Sequence, residues 1–202
     1  MSTQTLSQKI LSRIYGKKRG WVFTPVHFRD LGNDLGVRKA LQMLRDRGQI
    51  IGLERGVYLY PEMHPKLGQL SPAPDQIAKA LAGKDDLRIQ PSGAYAANLL
   101  GLSEQVPAKV IFLTDGTNRK IKVGNQQIIL KRTTPKNMAT AGRTSGLVIQ
   151  ALRFLGQANV NDAVVEQLAR RLNAEDRRLL MSDIRYAPAW IGAIFRRLAG
   201  KE

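Results

Sequence analysis

Between Leu6 and Tyr60 the apolar residues change their spacing in a way that admits few folds. Leu6, Ile10, Leu11, Ile14 and Tyr15 recur at helical intervals and form one stripe. Gly16 and Gly20 then bracket Lys17, Lys18 and Arg19. Residues 21–23, Trp-Val-Phe, are β-prone. Thr24-Pro25 reads as an N-cap followed by proline at the first helical position. It opens a helix expected to run through Val26, Phe28 and Leu31 to Gly32. After the turn at 32–34, Val37, Ala40, Leu41 and Leu44 mark the inner face of a third helix, about 35–47, with Gly48 as its C′ residue. Residues 49–53 and 57–60 are strand-like and are joined by Glu54-Arg55-Gly56 as a hairpin.

That order of elements predicts a winged helix-turn-helix. The outer face of the third helix carries Arg38, Lys39, Gln42 and Arg45. An α-helix fits the major groove of B-DNA, where such side chains meet base edges or phosphates. Arg55 sits at the hairpin tip, placed to reach a minor groove or a phosphate, and Lys17, Lys18 and Arg19 are expected among the DNA contacts as well. Charge points the same way: 32 Lys+Arg face 16 Asp+Glu, a formal net charge of +16. Residues 1–60 hold net +7, 61–136 net +5 and 137–202 net +4. The excess is spread over segments with apolar periodicity, so it describes basic faces on ordered elements rather than a charged tail. At 43% hydrophobic residues the chain can bury a core. Basic faces of this kind attract phosphate backbones.

Residues 61–74, with Pro61, Pro65, Pro72 and Pro74, read as an irregular connector. Its Met63, Leu67 and Leu70 are expected to pack on a surface, and His64 to be structural or solvated. A short helix over 75–82 ends at Gly83, and a strand covers 87–90. Ser92 is placed to cap a helix over 94–100, stopped by Gly101. Residues 110–114 form a buried-type strand, and 121–123 and 127–131 flank Gly124-Asn125, a two-residue hairpin turn. Thr134-Pro135 opens another helix, with 138–155 helical up to Gly156. Helices over 162–172, 174–184 and 189–199 follow, and Asn173 with Asp176 resembles a capping box. Trp190, Ile191, Ile194, Phe195 and Leu198 read as core. The fold class expected is α+β. A winged helix-turn-helix occupies 1–60, a connector 61–74, and a small mixed α/β unit ending in about four helices 75–202. Arg119, Lys120, Lys122, Lys131 and Arg132 lie on or beside the second hairpin as a secondary basic surface.

The chain has no cysteine, which excludes disulfides, thiolate zinc sites and cysteine nucleophiles. Two histidines, His27 and His64, argue against a multi-histidine metal site. No phosphate-binding loop, dinucleotide fingerprint or nucleophile elbow is present, so no cofactor is expected. Asp85-Asp86 and Asp115-Gly116 read as solvated turns. Ser92 and Tyr95 have the chemistry of a nucleophile and an acid, but no histidine or carboxylate has a predictable route to them, and no enzymatic activity is expected. No apolar run approaches the roughly 18 residues of a membrane span. Residues 1–11 lack the layout of a signal peptide. A cytoplasmic protein is expected.

Several segments carry a resemblance. They are the winged-helix pattern with Arg55-Gly56-Val57-Tyr58, then Leu70-Ser71-Pro72, residues 90–102, residues 110–116 and residues 130–133. Together they resemble the AbiEi-type antitoxins of type IV toxin–antitoxin systems, and more narrowly the short branch known as DUF6088. The resemblance spans nearly the whole chain, and its middle segments are the most specific. It implies an antitoxin that also represses its own operon by binding inverted repeats in double-stranded DNA. It further implies an AbiEii-like nucleotidyltransferase toxin as functional partner without a stable complex, and a monomer in solution. Carried over by position, base reading falls to Arg38, Lys39 and Gln42, phosphate contact to Arg45, and the wing contact to Arg55. Gly36 departs from the pattern, since glycine disfavours helix; the helix is then expected to start irregularly or at Val37, which weakens Asn33 and Asp34 as DNA contacts. The basic charge beyond the winged helix supports a second expectation, an RNA-binding protein that shields tRNA or another RNA from a toxin.

Overall fold

The computed structural model describes residues 4–83 and 87–200. Asp85-Asp86 lies outside the described residues. The fold is mixed α+β. The chain divides into two compact units, residues 1–86 with 121–124 and residues 87–120 with 125–202.

In the first unit the described elements are α1 (Leu6–Tyr15), β1 (Val22–Phe23), a 3-10 helix (Pro25–Phe28), α2 (Asp34–Asp46), β2 (Ile51–Glu54), β3 (Val57–Leu59), β4 (Met63–His64), β5 (Gly68–Gln69) and α3 (Pro74–Ala82). Three strands form a sheet in the order β1-β3-β2, all antiparallel. The helical stripes meet over this sheet: Ile10, Ile14, Phe23, Phe28, Val37, Ala40, Leu41, Leu44 and Ile50 make one buried cluster. Each of these side chains larger than alanine contributes about 1.5–3 kcal/mol on leaving water. Phe23 is central, stacked on Tyr58 at 5.9 Å and edge-on to Phe28 at 5.5 Å.

The expected helix over 25–32 is a four-residue 3-10 turn instead. The carbonyl of His27, which an α-helix would offer to Leu31, accepts from the Arg13 guanidinium at 2.9 Å. The Leu31 N–H turns to the Phe28 carbonyl at 2.9 Å. Arg13 also clamps Asp30 through both guanidinium nitrogens, at 2.7 and 2.6 Å. The hydrogen bond to Asp30 raises the Arg13 pKa against the opposing effect of desolvation.

The irregular start expected for α2 is absent. Asn33 caps it by accepting the Gly36 N–H at 2.8 Å, so the helix begins at Asp34 and Gly36 lies inside its first turn. Glycine has a packing reason there: a Cβ would stand 3.1 Å from both Leu6 Cδ2 and Asn33 Oδ1.

Residues 61–74 are not wholly irregular, since β4 and β5 pair as a small hairpin. Contrary to expectation, Met63 and Leu67 are exposed. His64 holds the turn by accepting the Lys66 and Leu67 N–H groups at 3.2 and 3.3 Å. Helix α3 groups with the first unit and buries Ile77, Ala78 and Leu81.

The described elements of the second unit are β6 (Ile89–Ser92), α4 (Gly93–Leu99), β7 (Lys109–Thr114), β8 (Arg119–Val123), β9 (Gln126–Arg132), α5 (Pro135–Met138), α6 (Thr144–Leu155), a 3-10 helix (Gln157–Asn159), α7 (Asp162–Arg171), α8 (Ala174–Ser182), a 3-10 helix (Ile184–Tyr186) and α9 (Ala189–Ala199). Residues 121–124 of β8 and its turn group with the first unit. The sheet order is β6-β7-β9-β8, with β6 antiparallel and β9 parallel to β7. The continuous helix expected over 138–155 is split. Gly142 adopts a positive φ of 77° and gives its N–H to Gln90 Oε1 at 3.1 Å. Helix α6 then packs with α4, α7, α8 and α9 around Val148, Leu152, Val165, Leu168, Leu180 and Phe195. The Asn173–Asp176 capping box is formed, at 2.8 and 3.2 Å.

Candidate nucleic-acid interface

Helix α2 sorts its residues by phase. Val37, Ala40, Leu41 and Leu44 are buried, while Arg38, Lys39, Gln42 and Arg45 are exposed on the other side. Arg38, Lys39 and Gln42 form no side-chain hydrogen bond or ion pair with another described residue. Their donors are therefore open to a ligand. Arg45 differs, because its guanidinium meets the adjacent Asp46 carboxylate at 3.1 Å. Both groups are about half exposed, and a pair of that kind holds its cation only weakly. Arg29 and Asp34 pair at 3.4 Å beside the helix start.

The β2–β3 turn presents Arg55 to solvent. Gly56 has φ 75°, which lets the turn close tightly behind that side chain. Neighbouring Glu54 accepts the main-chain N–H of Lys122 at 3.1 Å, within the first unit.

The turn after α1 is more committed than its sequence indicates. Lys17 lies 5.7 Å from the Trp21 ring centroid. Arg19 lies 5.0 Å over Tyr60 and donates to the Pro61 carbonyl at 3.1 Å. Lys18 is exposed and forms no side-chain pair with another described residue. Of this trio, Arg19 has a structural task that competes with ligand contact.

The secondary basic surface is divided. Arg119, Lys120, Lys131 and Arg132 belong to the second unit, and Lys122 groups with the first. A shallow groove of about 230 Å³ is lined by Asn118, Arg119, Lys120, Ile129, Leu130 and Lys131. Asn118 also accepts the Arg132 N–H at 2.6 Å, which ties the loop before β8 to the end of β9. Neither Asn118 nor Ile129 carried a signal in sequence, because strand order alone brings them beside the lysines.

A second polar cluster sits at the start of α6. Arg143 pairs with the buried Asp183 at 2.7 Å, Ser145 donates to the same carboxylate, and Thr144 donates to Asp176 at 2.6 Å. These acids fasten α8 to the first turn of α6. Ser92 stands at the N-cap of α4 without a side-chain cap bond and donates to Gln150 at 3.1 Å. Tyr95 packs edge-on to Phe112. Among the described residues no group of three His, Asp or Glu side chains is placed to hold a metal ion. None of their helices is long and apolar enough to cross a membrane.

These elements define a mixed α+β chain whose first unit turns a cation- and amide-bearing helix face to solvent. The chain belongs to DUF6088, a family of unknown function, whose model matches residues 9–180. None of the curated proteins matches it.

Proposed function

We propose that this chain is a cytoplasmic, sequence-specific DNA-binding protein that acts as antitoxin and autorepressor of a type IV toxin–antitoxin operon. In this reading the first unit is a winged helix-turn-helix, α2 its recognition helix and the β2–β3 hairpin its wing. The observation that carries it is the open face of α2: Arg38, Lys39 and Gln42 project away from a packed core and have no side-chain hydrogen bond or ion pair among the described residues. Arg55 at the hairpin tip supplies the wing contact, and Lys18, Lys17 and Arg45 supply phosphate contacts. The resemblance of the middle segments to AbiEi-type antitoxins supports the operon role, the inverted-repeat operator and an AbiEii-like nucleotidyltransferase partner that forms no stable complex. The role is binding rather than catalysis, with a monomer at each half-site. A gel-shift with the region upstream of the protein's own gene tests it across a salt series. Affinity well above that for random duplex is expected, and equal affinity for both refutes the reading.

The groove beside Lys120 and Lys131 supports a second reading, in which the ligand is RNA. Competition of bound duplex by tRNA at matched salt separates the two. Preference for tRNA selects the RNA reading.

A further inference from the structure

Helix α2 exposes two apolar residues that neither the charge nor the resemblance uses, Leu35 and, less so, Met43. Leu35 is 65% exposed. An exposed leucine alone says nothing, since many surface residues are apolar. Its position says more. Leu35, Arg38, Lys39 and Gln42 stand at i, i+3, i+4 and i+7, so they share one stripe of the helix. Buried Val37 and Leu44 lie two and nine residues on, close to the opposite side of the helix. The isobutyl group therefore projects from the ridge of the face, one turn ahead of the polar donors.

The first turn of α2 is also ill suited to a phosphate. Asn33 already takes the Gly36 N–H, and Asp34 sets a carboxylate beside it. The apolar group that the helix start offers to a ligand is Leu35, beside the paired Arg29 and Asp34. In the major groove the apolar feature is the C5-methyl group of thymine.

Resting on the DNA-binding reading above, we infer that Leu35 is a specificity-determining residue that packs against a thymine methyl and adds a T requirement to the bases read by Arg38, Lys39 and Gln42. Asp46, at i+11 on the same stripe, is a carboxylate held by Arg45, so the stripe offers no donor to a base beyond Gln42 and base reading is confined to the first two turns of the helix.

The experiment uses the full-length chain and a random-sequence duplex pool. The enriched site is resynthesised with thymine replaced by uracil one position at a time, which removes a methyl group and nothing else. At one or two positions uracil is expected to weaken wild-type binding about fourfold, the worth of one methyl group taken out of water. Leu35→Ala is expected to bind the thymine and uracil duplexes equally, while Leu35→Met, which keeps an apolar side chain of similar reach, retains the discrimination. Because Leu35 is exposed, both variants are expected to fold, which circular dichroism checks. A wild-type protein indifferent to uracil at every position overturns the inference and leaves the DNA reading standing. So does a Leu35→Ala variant that still discriminates. A pool in which no sequence is enriched removes the DNA reading, and this inference with it.

Discussion

Arg38, exposed, and Asp115, partly buried, show how differently two charged residues are used. Arg38 makes no ion pair with another described residue, so its five donors are available for a bidentate contact with guanine. Arg38→Ala is expected to cost about 1–3 kcal/mol on the specific site and to relax preference at one base position. Gel-shifts on specific and random duplex measure the ratio, and an unchanged ratio removes Arg38 from base reading. Asp115 is committed inside the fold. The Arg88 side chain donates to it at 2.8 Å and the Arg88 main-chain N–H at 3.0 Å, and these bonds hold its carboxyl below its ordinary value against the opposing effect of burial. A carboxyl lowered in the folded state stabilises the protein fully above its unfolded pKa of about 3.9, and that contribution fades as pH falls through the folded value. Asp115→Asn lacks the contribution at every pH. Its melting temperature is therefore expected to lie below the wild type's at pH 7 and to converge with it below about pH 4. Parallel melting curves from pH 7 to 2.5 would remove the pair from acid stability.

Elements whose form is set by their own residues were readable in the sequence, and those set by distant partners were not. Helix α1, the body of helix α2 and the β2–β3 hairpin follow from apolar period and the Gly56 turn, while the Asn33 cap that starts α2 at Asp34 was not read, because Gly36 argued against helix there. The open face of α2 follows from the same period, so Arg38, Lys39 and Gln42 were legible. The 3-10 turn at Pro25–Phe28 was not, because Arg13 reaches across 14 positions to take the His27 carbonyl. The break before α6 was hidden for a similar reason, since Gln90, 52 positions earlier, takes the Gly142 N–H. The groove beside Lys120 and Lys131 depends on β9 lying between β7 and β8. The same break yields a prediction about α6. Gly146 is buried in its first turn, and a Cβ there would collide with the Thr140 carbonyl oxygen and stand 2.7 Å from Gln90 Oε1. Neither is the free end of an exposed side chain, so the loop or the strand must shift. Gly146→Ala is expected to destabilise by about 1–3 kcal/mol, outweighing the roughly 1 kcal/mol that alanine gains in a helix. Urea unfolding measures it, and a raised midpoint would show that the contact relaxes freely.

At the scale of the whole molecule, the +16 is shared between the two units, and the proposed function asks a different task of each share. The first unit carries cations beside an amide donor on one helix face, an arrangement able to tell base pairs apart. The second unit carries Lys120 and Lys131 beside a groove with an aliphatic floor at Ile129 and Leu130 and no aromatic ring among its lining residues. In the proposed nucleic-acid reading those lysines, with no ring beside them to stack on bases, serve as phosphate neutralisers. Phosphate contact carries no sequence information. Reversing both charges, Lys120→Glu with Lys131→Glu, is therefore expected to weaken specific and random duplex by the same factor. Each lost phosphate contact also reduces the dependence of log affinity on log salt by about 0.9, so the slope is expected to fall by roughly 2. Arg38→Ala is expected to do the reverse in kind, changing the ratio of specific to random affinity more than the slope. Salt titrations of the three proteins on both duplexes separate the two effects. An unchanged slope in the double variant would take the second unit's lysines off DNA and leave them to the RNA reading, while a changed ratio would place base recognition in the second unit.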